Sequence, residues 1–210
     1  MKLSIFYHLL KFPFIYSLSQ KILAPGAGYL RKKHYQNIFS ESRDRILDVG
    51  CGPGLTTPAP DGIIVGIDIN PLYLKRYRNN KNRLGLVCSS DSLPFRDDIF
   101  DETRCVGLLH HLSTESASST IMEMIRCTCA EGQITIIDNV WPRKSIFRPA
   151  AWLIRRLDRG KWVRTEDELF KLVCNAYSRN WHSKRYTYSY NGLEALALTT
   201  YKLIYEPQQC

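Results

Sequence analysis

The feature that most constrains this chain is a regular alternation, between residues 45 and 140, of short apolar runs with helix-like stretches. RILDVG (45–50), IIVGID (63–68), LGLVCS (84–89), ETRCVGLL (102–109) and QITIIDNV (133–140) read as buried strands, being short, apolar and partly β-branched. Between them, PLYLKRYRNN (71–80) and STESASSTIMEMIRCT (113–128) read as helices. Ser113 suits the N-cap of the second, and Glu115 falls in its first turn, where a carboxylate complements the helix dipole. Strand, helix, strand repeated in this way predicts an α/β fold, a doubly wound sheet of five parallel strands with helices on both faces.

After Trp141-Pro142 the pattern changes. KSIFRPAAWLIRRLDRG (144–160) reads as a basic amphipathic helix, and EDELFKLVCNAY (166–177) as a helix capped by Thr165. RYTYSY (185–190) and LEALALTTYKLI (193–204) read as strands of an antiparallel hairpin turning at Asn191-Gly192. A chain of 210 residues, 44% hydrophobic and 23% charged, suits one domain with a full core. Its expected layout is covering helices over 1–44, a ligand-binding core over 45–140, lid helices over 141–180 and a closing hairpin over 181–210.

The seven cysteines include no C-x-x-C pair, which argues against a disulfide framework and a zinc ribbon, and no metal site is expected. The opening MKLSIFYHLLKFPFIYSLSQ is interrupted by His8, Lys11 and Pro13, so it reads as retained chain rather than a cleaved leader or a membrane span. A cytoplasmic location follows as the expectation. The net charge of +9 divides into +6 over residues 1–45, −4 over 46–140 and +7 over 141–210. Basic flanks around an acidic centre suit an anionic small molecule, a membrane surface or nucleic acid.

The stretch LDVGCGPGLTTPAP (47–60) marks the ligand site. Gly50, Gly52 and Gly54 follow the first strand, where a parallel sheet binds its ligands and glycine lets the backbone approach them. Asp48 lies at the end of the first strand, where a carboxylate can face a cationic ligand group, and Asp68 ends the second, the usual place for a carboxylate that accepts from ribose hydroxyls. Ser89, Ser90 and Asp91 follow the third strand, placed to meet a purine edge. A dinucleotide turn would need a third glycine where Leu55 stands and a helix aimed at the pyrophosphate, yet Pro58 and Pro60 leave room for little helix. The expected ligand is a nucleoside without phosphates.

RILDVGCGPG, IVGIDINPLYL, SLPFRDDIFD, LLHHL and ITIID, in this order and spacing, resemble the successive motifs of the class I S-adenosylmethionine-dependent methyltransferases. The resemblance covers about residues 45–140 and implies a Rossmann-like fold with S-adenosyl-L-methionine as cofactor. It implies that Asp48, Gly50, Cys51, Gly52 and Gly54 hold the methionine portion, that Asp68 takes the ribose hydroxyls and that Ile69 packs on adenine. The position of the adenine-amino contact is Ser89, with Asp91 two places along as its substitute. The stretch 156–165 and the hairpin resemble a small bacterial branch of the superfamily.

Methyl transfer from a sulfonium is an in-line displacement, so alignment and exclusion of water are the main requirements. Where the acceptor keeps a proton, His110 or His111, closing the fourth strand, is the expected base, with Asp138 second. Aromatic residues in 1–40 and 141–164, among Arg148, Arg155, Arg156, Arg159 and Arg164, suit a small lipophilic or anionic acceptor. Peripheral membrane contact is a further expectation. RNA is the alternative acceptor, although no separate RNA-binding module is visible, and a non-catalytic cofactor-binding protein is a third reading. No obligate protein partner is expected.

Overall fold

Strands with apolar side chains on both faces must be covered on both faces, and this requirement organises the molecule. The computed structural model describes residues 12–39, 43–54, 62–143, 148–157, 160–178 and 180–202. Among these, β1 (Arg45–Val49), β2 (Ile63–Asp68), β3 (Arg83–Val87), β4 (Phe100–Val106), β5 (Thr128–Val140), β6 (His182–Thr187) and β7 (Glu194–Tyr201) build one sheet. Its seven strands run in the order β3-β2-β1-β4-β5-β7-β6. β1 to β5 pair in parallel, and β7 pairs antiparallel with both β5 and β6. The fold is the Rossmann-like α/β sheet with a C-terminal antiparallel hairpin.

The helices are α1 (Pro13–Leu23), α2 (Ala27–Tyr35), α3 (Pro71–Tyr77), α4 (Thr114–Cys127), α5 (Pro149–Arg156) and α6 (Glu166–Ala176). α4 buries Ala117, Thr120, Ile121, Met124 and Cys127, one stripe at helical spacing. That stripe and α6 cover the sheet face carrying Leu47, Val49, Ile134, Ile136 and Leu196. The opposite face is covered by α2 and α5 over Ile137, Ala195 and Ala197, and by α3 over Ile46 and Ile64. Adjacent residues of β1 and β5 thus enter different cores, as the pleat requires. Ser113 caps α4 by accepting from the Ser116 N–H at 3.2 Å, and Thr165 with Glu168 forms a full capping box on α6.

Several elements differ from expectation. β3 is the sheet edge, and Leu84, Leu86 and Val87 are exposed there rather than buried, because the strand has a neighbour on one side only. β5 begins at Thr128, and the Ala130-Glu131-Gly132 segment is a bulge inside it, with Glu131 at φ +61°. The hairpin does not turn on Asn191-Gly192 alone. Its connection spans Tyr188–Leu193, closed by the Tyr188 N–H to the Leu193 carbonyl at 2.9 Å, and among its residues only Gly192 has positive φ. Asn191 instead accepts from the Ser189 hydroxyl and donates to the Leu23 carbonyl, which binds the connection to the end of α1. The described part of the basic helix starts at Pro149, a residue suited to a first helical position. The short turn around Pro58 and Pro60, and Phe6, Tyr7, Phe147 and Arg159, lie outside the described residues.

One ion pair sits wholly inside this frame. Glu102 and Arg104, two apart on one face of β4, meet through two contacts of 2.6 and 2.9 Å, with side chains 0% and 1% exposed. The guanidinium also lies 4.2 Å from the ring centre of Phe39. Removing one charge from such a pair leaves the other buried without its partner. In urea unfolding, Glu102→Gln is expected to lose about 3–5 kcal/mol, and Glu102→Leu combined with Arg104→Met to recover most of it. A single variant within about 1 kcal/mol of the parent would show that the pair behaves as a surface contact.

Candidate active site

The strand order places β1 between β2 and β4, so the chain leaves β1 and β4 toward opposite faces and a crevice opens at their C-terminal ends. Gly50, Gly52 and Gly54 turn the chain there with φ of +69°, +54° and +75°. A Cβ on Gly50 would lie 2.8 Å from Leu108, and one on Gly54 2.4 Å from the Arg83 guanidinium. Gly52 is different, because a Cβ there meets nothing within 4 Å. The turn is packed from below and open above.

Asp68 anchors this turn. Its carboxylate accepts from the Gly52 N–H at 3.0 Å and the Asn70 N–H at 2.8 Å. Burial pushes its carboxyl above the usual range, against the lowering effect of those two bonds. Asp48 lies beneath the turn, 1% exposed, accepting from the Tyr77 hydroxyl at 3.3 Å, and takes no part in the cavity wall. Cys51 is buried beside it, and burial pushes its thiol up. Ile69 is 76% exposed next to Asp68. The three residues after β3 diverge: Ser89 bonds the Asp91 carboxylate at the surface, whereas Ser90 turns inward to Thr120 at 2.9 Å.

A cavity of about 380 Å³ runs from Gly50–Pro53 to Tyr16 of α1, Arg31 and Tyr35 of α2, and Tyr186 and Tyr188 of the hairpin. His110, His111 and Asp138 line it too. Gly107, at φ +71°, follows β4, and Leu109–His111 form a single 3-10 turn. The two histidines diverge. His110 is 4% exposed with Nδ1 2.5 Å from Asp138 Oδ1, while His111 is exposed and lies tilted against the His110 ring, their centres 4.1 Å apart.

The segment Gly160–Arg164 clamps this turn. The Trp162 N–H donates to the His110 carbonyl at 3.0 Å, and Arg164 donates to the carbonyls of Leu109 at 2.9 Å and Leu112 at 3.2 Å. A Cβ at Gly160 would lie 2.3 Å from the His110 ring, so glycine is required for the close approach. A motif without an assigned purpose in the sequence therefore immobilises the His110 turn.

Three cavity residues escaped the sequence reading. Arg31 stacks 4.4 Å over the Tyr188 ring, and among the described residues no carboxylate forms an ion pair with it. Asn139 contacts His110 Nε2 at 3.3 Å and accepts from the Tyr188 hydroxyl at 2.9 Å. The alternation Tyr186, Tyr188 in RYTYSY was the available signal, since residues two apart share a face. The arginines expected as a cationic rim are largely occupied. Arg148 pairs with Glu194, Arg155 and Arg164 are 3% and 8% exposed, and Arg156 lies over the Trp152 ring. Arg143 and Arg185 likewise pair with Glu166 and Glu194. Among the described residues, no helix is long and apolar enough to cross a membrane, and no His, Cys, Asp and Glu cluster could hold a metal.

Comparison with known proteins agrees with this fold. The family model described as "Methyltransferase domain" matches residues 47–136. The human protein named "Probable tRNA methyltransferase 9B" is 35% identical over 99 residues, 46% of this chain and 21% of that protein. The Arabidopsis thaliana tRNA (carboxymethyluridine(34)-5-O)-methyltransferase is 34% identical over 98 residues, 46% of this chain and 24% of that protein. The chain thus spans under a quarter of the length of these relatives. Among solved structures, a Thermotoga maritima S-adenosylmethionine-dependent methyltransferase superposes with a TM-score of 0.69 at 13% identity, covering 93% of this chain and 99% of that one. Human N-acetylserotonin methyltransferase, solved with S-adenosylmethionine, gives 0.62 at 16% identity, covering 82% and 51%. Residues 47–136 thus match a methyltransferase domain, and the solved methyltransferase structures share the fold of this chain.

Proposed function

We propose that the chain methylates a small acceptor, lipophilic with an anionic group, held in the tyrosine-lined cavity with Arg31 as its anchor and His110 as the base. The observation that carries this reading is the pairing, in one cavity of about 380 Å³, of aromatic walls and the Arg31 guanidinium with the His110–Asp138 contact. The open face of Gly52, the Asp68 carboxylate and the exposed Ile69 fit the cofactor: space for its chain, acceptors for its ribose hydroxyls and an apolar surface for its base. When bound, S-adenosylmethionine supplies a methyl group on an activated sulfonium. The remaining work falls to the chain. Tyr16, Tyr35 and Tyr186 exclude water, Arg31 orients the acceptor, and His110 Nε2 receives a proton from an acceptor hydroxyl or amine.

A tRNA acceptor is the second reading, favoured by the names of the two curated relatives. Against it, the arginines of the C-terminal flank are turned to internal carboxylates and carbonyls rather than to a phosphate track. Contact with a lipid surface is supported by α1, where Phe14, Leu18 and Ile22, four residues apart, are exposed beside Lys21, and by the exposed Leu157 at the cavity wall.

Cofactor binding, acceptor identity, variant kinetics and vesicle binding test these readings. Asp68→Asn is expected to weaken S-adenosylmethionine binding in calorimetry by roughly tenfold or more. For the parent, affinity should fall on acidification from a pH above the ordinary carboxylate range, because the raised Asp68 protonates early and loses acceptor capacity; equal affinity in the variant sinks the cofactor placement. With labelled methyl groups and fractionated extracts, label should enter the small-molecule fraction, and ribonuclease-sensitive label would install tRNA instead. On the acceptor so found, Arg31→Ala should lower kcat/KM by roughly ten- to hundredfold, mainly through KM, and His110→Ala should lower kcat by about 10²–10⁴. The parent should sediment with anionic vesicles and Leu18→Ser/Ile22→Ser should not; a parent left in the supernatant overturns the lipid contact.

A further inference from the structure

A chain of hydrogen bonds leads from α5 to His110, and the chemistry of its members gives it a direction. Arg155 Nη2 lies 2.9 Å from the Tyr188 hydroxyl, and a guanidinium only donates. The Tyr188 oxygen is therefore the acceptor, and its own proton goes to Asn139 Oδ1 at 2.9 Å. With its oxygen so engaged, the Asn139 side chain presents its amide nitrogen to His110 Nε2 at 3.3 Å. An amide nitrogen has no lone pair to offer and donates, so Nε2 must be the acceptor. His110 Nδ1, 2.5 Å from the Asp138 carboxylate, carries the ring proton.

We infer that Arg155, Tyr188 and Asn139 are positioning residues that hold His110 in the Nδ1–H tautomer, with the Nε2 lone pair kept for the acceptor. The inference rests on the reading of His110 as the base and adds how its proton-accepting nitrogen is chosen. Four members are buried, Arg155 at 3% exposed, Tyr188 at 3%, His110 at 4% and Asp138 at 2%, while Asn139 is half-buried at the cavity wall. Water competes poorly for the four buried positions, and a reversed link would place two donors or two acceptors face to face. The titratable groups in contact with the His110 ring are Asp138 of β5 and His111 of its own turn, and Arg164 of the clamping segment bonds the adjacent Leu109 carbonyl.

The 3.3 Å separation between Asn139 and Nε2 is long for a hydrogen bond. An acceptor hydroxyl at an ordinary distance of about 2.7–2.8 Å displaces the amide without any change at Nδ1. Asn139 thus occupies the lone pair when the acceptor is away and yields it when the acceptor arrives. Asp138 holds the opposite side, its Oδ1 also accepting from the Asn139 backbone N–H at 2.8 Å.

The test is the nitrogen spectrum of the protein labelled with ¹⁵N-histidine, read without cofactor or acceptor. The His110 signals are assigned by their loss in His110→Gln. In the parent with the ring neutral, Nδ1 should resonate as protonated and Nε2 as unprotonated. Asn139→Asp replaces the donor facing Nε2 with an acceptor and should move Nε2 to the protonated position. Tyr188→Phe keeps the ring under Arg31 but frees the Asn139 amide, and should give a mixture of the two tautomers. A parent in the Nε2–H form, or an Asn139→Asp spectrum identical to the parent's, overturns the inference. Loss of transfer in His110→Ala is read separately, so failure of the base assignment and failure of the relay are distinguishable.

Discussion

The site depends on one contact, His110 to Asp138, which joins the ends of β4 and β5 across 2.5 Å. Three structural conditions must hold for it to form. Parallel pairing with Cys105 opposite Ile136 and Val106 opposite Ile137 brings the two strand ends level. Gly107 then supplies the positive φ that turns the chain from β4 into the single turn carrying His110. Finally, the carbonyls of that turn are taken by Arg164 and the Trp162 N–H, so the ring is set by a segment about fifty residues away in sequence. The placement of the His110 ring is thus an outcome of the whole sheet and its lid.

The same lid explains what the basic C-terminal flank does. A surplus of arginine over residues 141–210 looks like a surface for an acidic partner, but charge counts do not distinguish a guanidinium facing water from one facing a carbonyl. Here Glu194, 6% exposed, is shared by Arg148 and Arg185, and Arg143 and Arg185 share Glu166. Arg155 and Arg164 stitch α5 and the Gly160–Arg164 segment to the strand ends. Arginine suits this work because its planar fork satisfies several acceptors at once and stays charged when buried. Arg31 stands apart, its charge facing the cavity and its plane resting on Tyr188.

How much of this was legible depended on the range of the interaction involved. β1 and β2 were read almost to the residue, because an apolar run between turn residues declares a buried strand locally. β3 carries the same signal yet is exposed, since edge or centre is a property of strand order. Asp68 was placed at its strand end, and its bond to the Gly52 N–H joins two motifs that the sequence had paired. Asp48 had equal claim by spacing, but its side chain points beneath the turn to Tyr77. Asn139, Tyr188 and Arg31 show no local pattern linking them, being drawn from β5, the hairpin and α2.

The sequence by itself determined the class of fold and the place of the glycine turn, because each rests on periodicity and backbone freedom within a few residues. Tertiary structure alone decided which histidine meets a carboxylate and which arginines are spent internally. It also decided that a guanidinium of α2 shares a cavity with the strand ends. Those outcomes turn on distances between residues far apart in the chain, which only the packing of helices on the sheet determines.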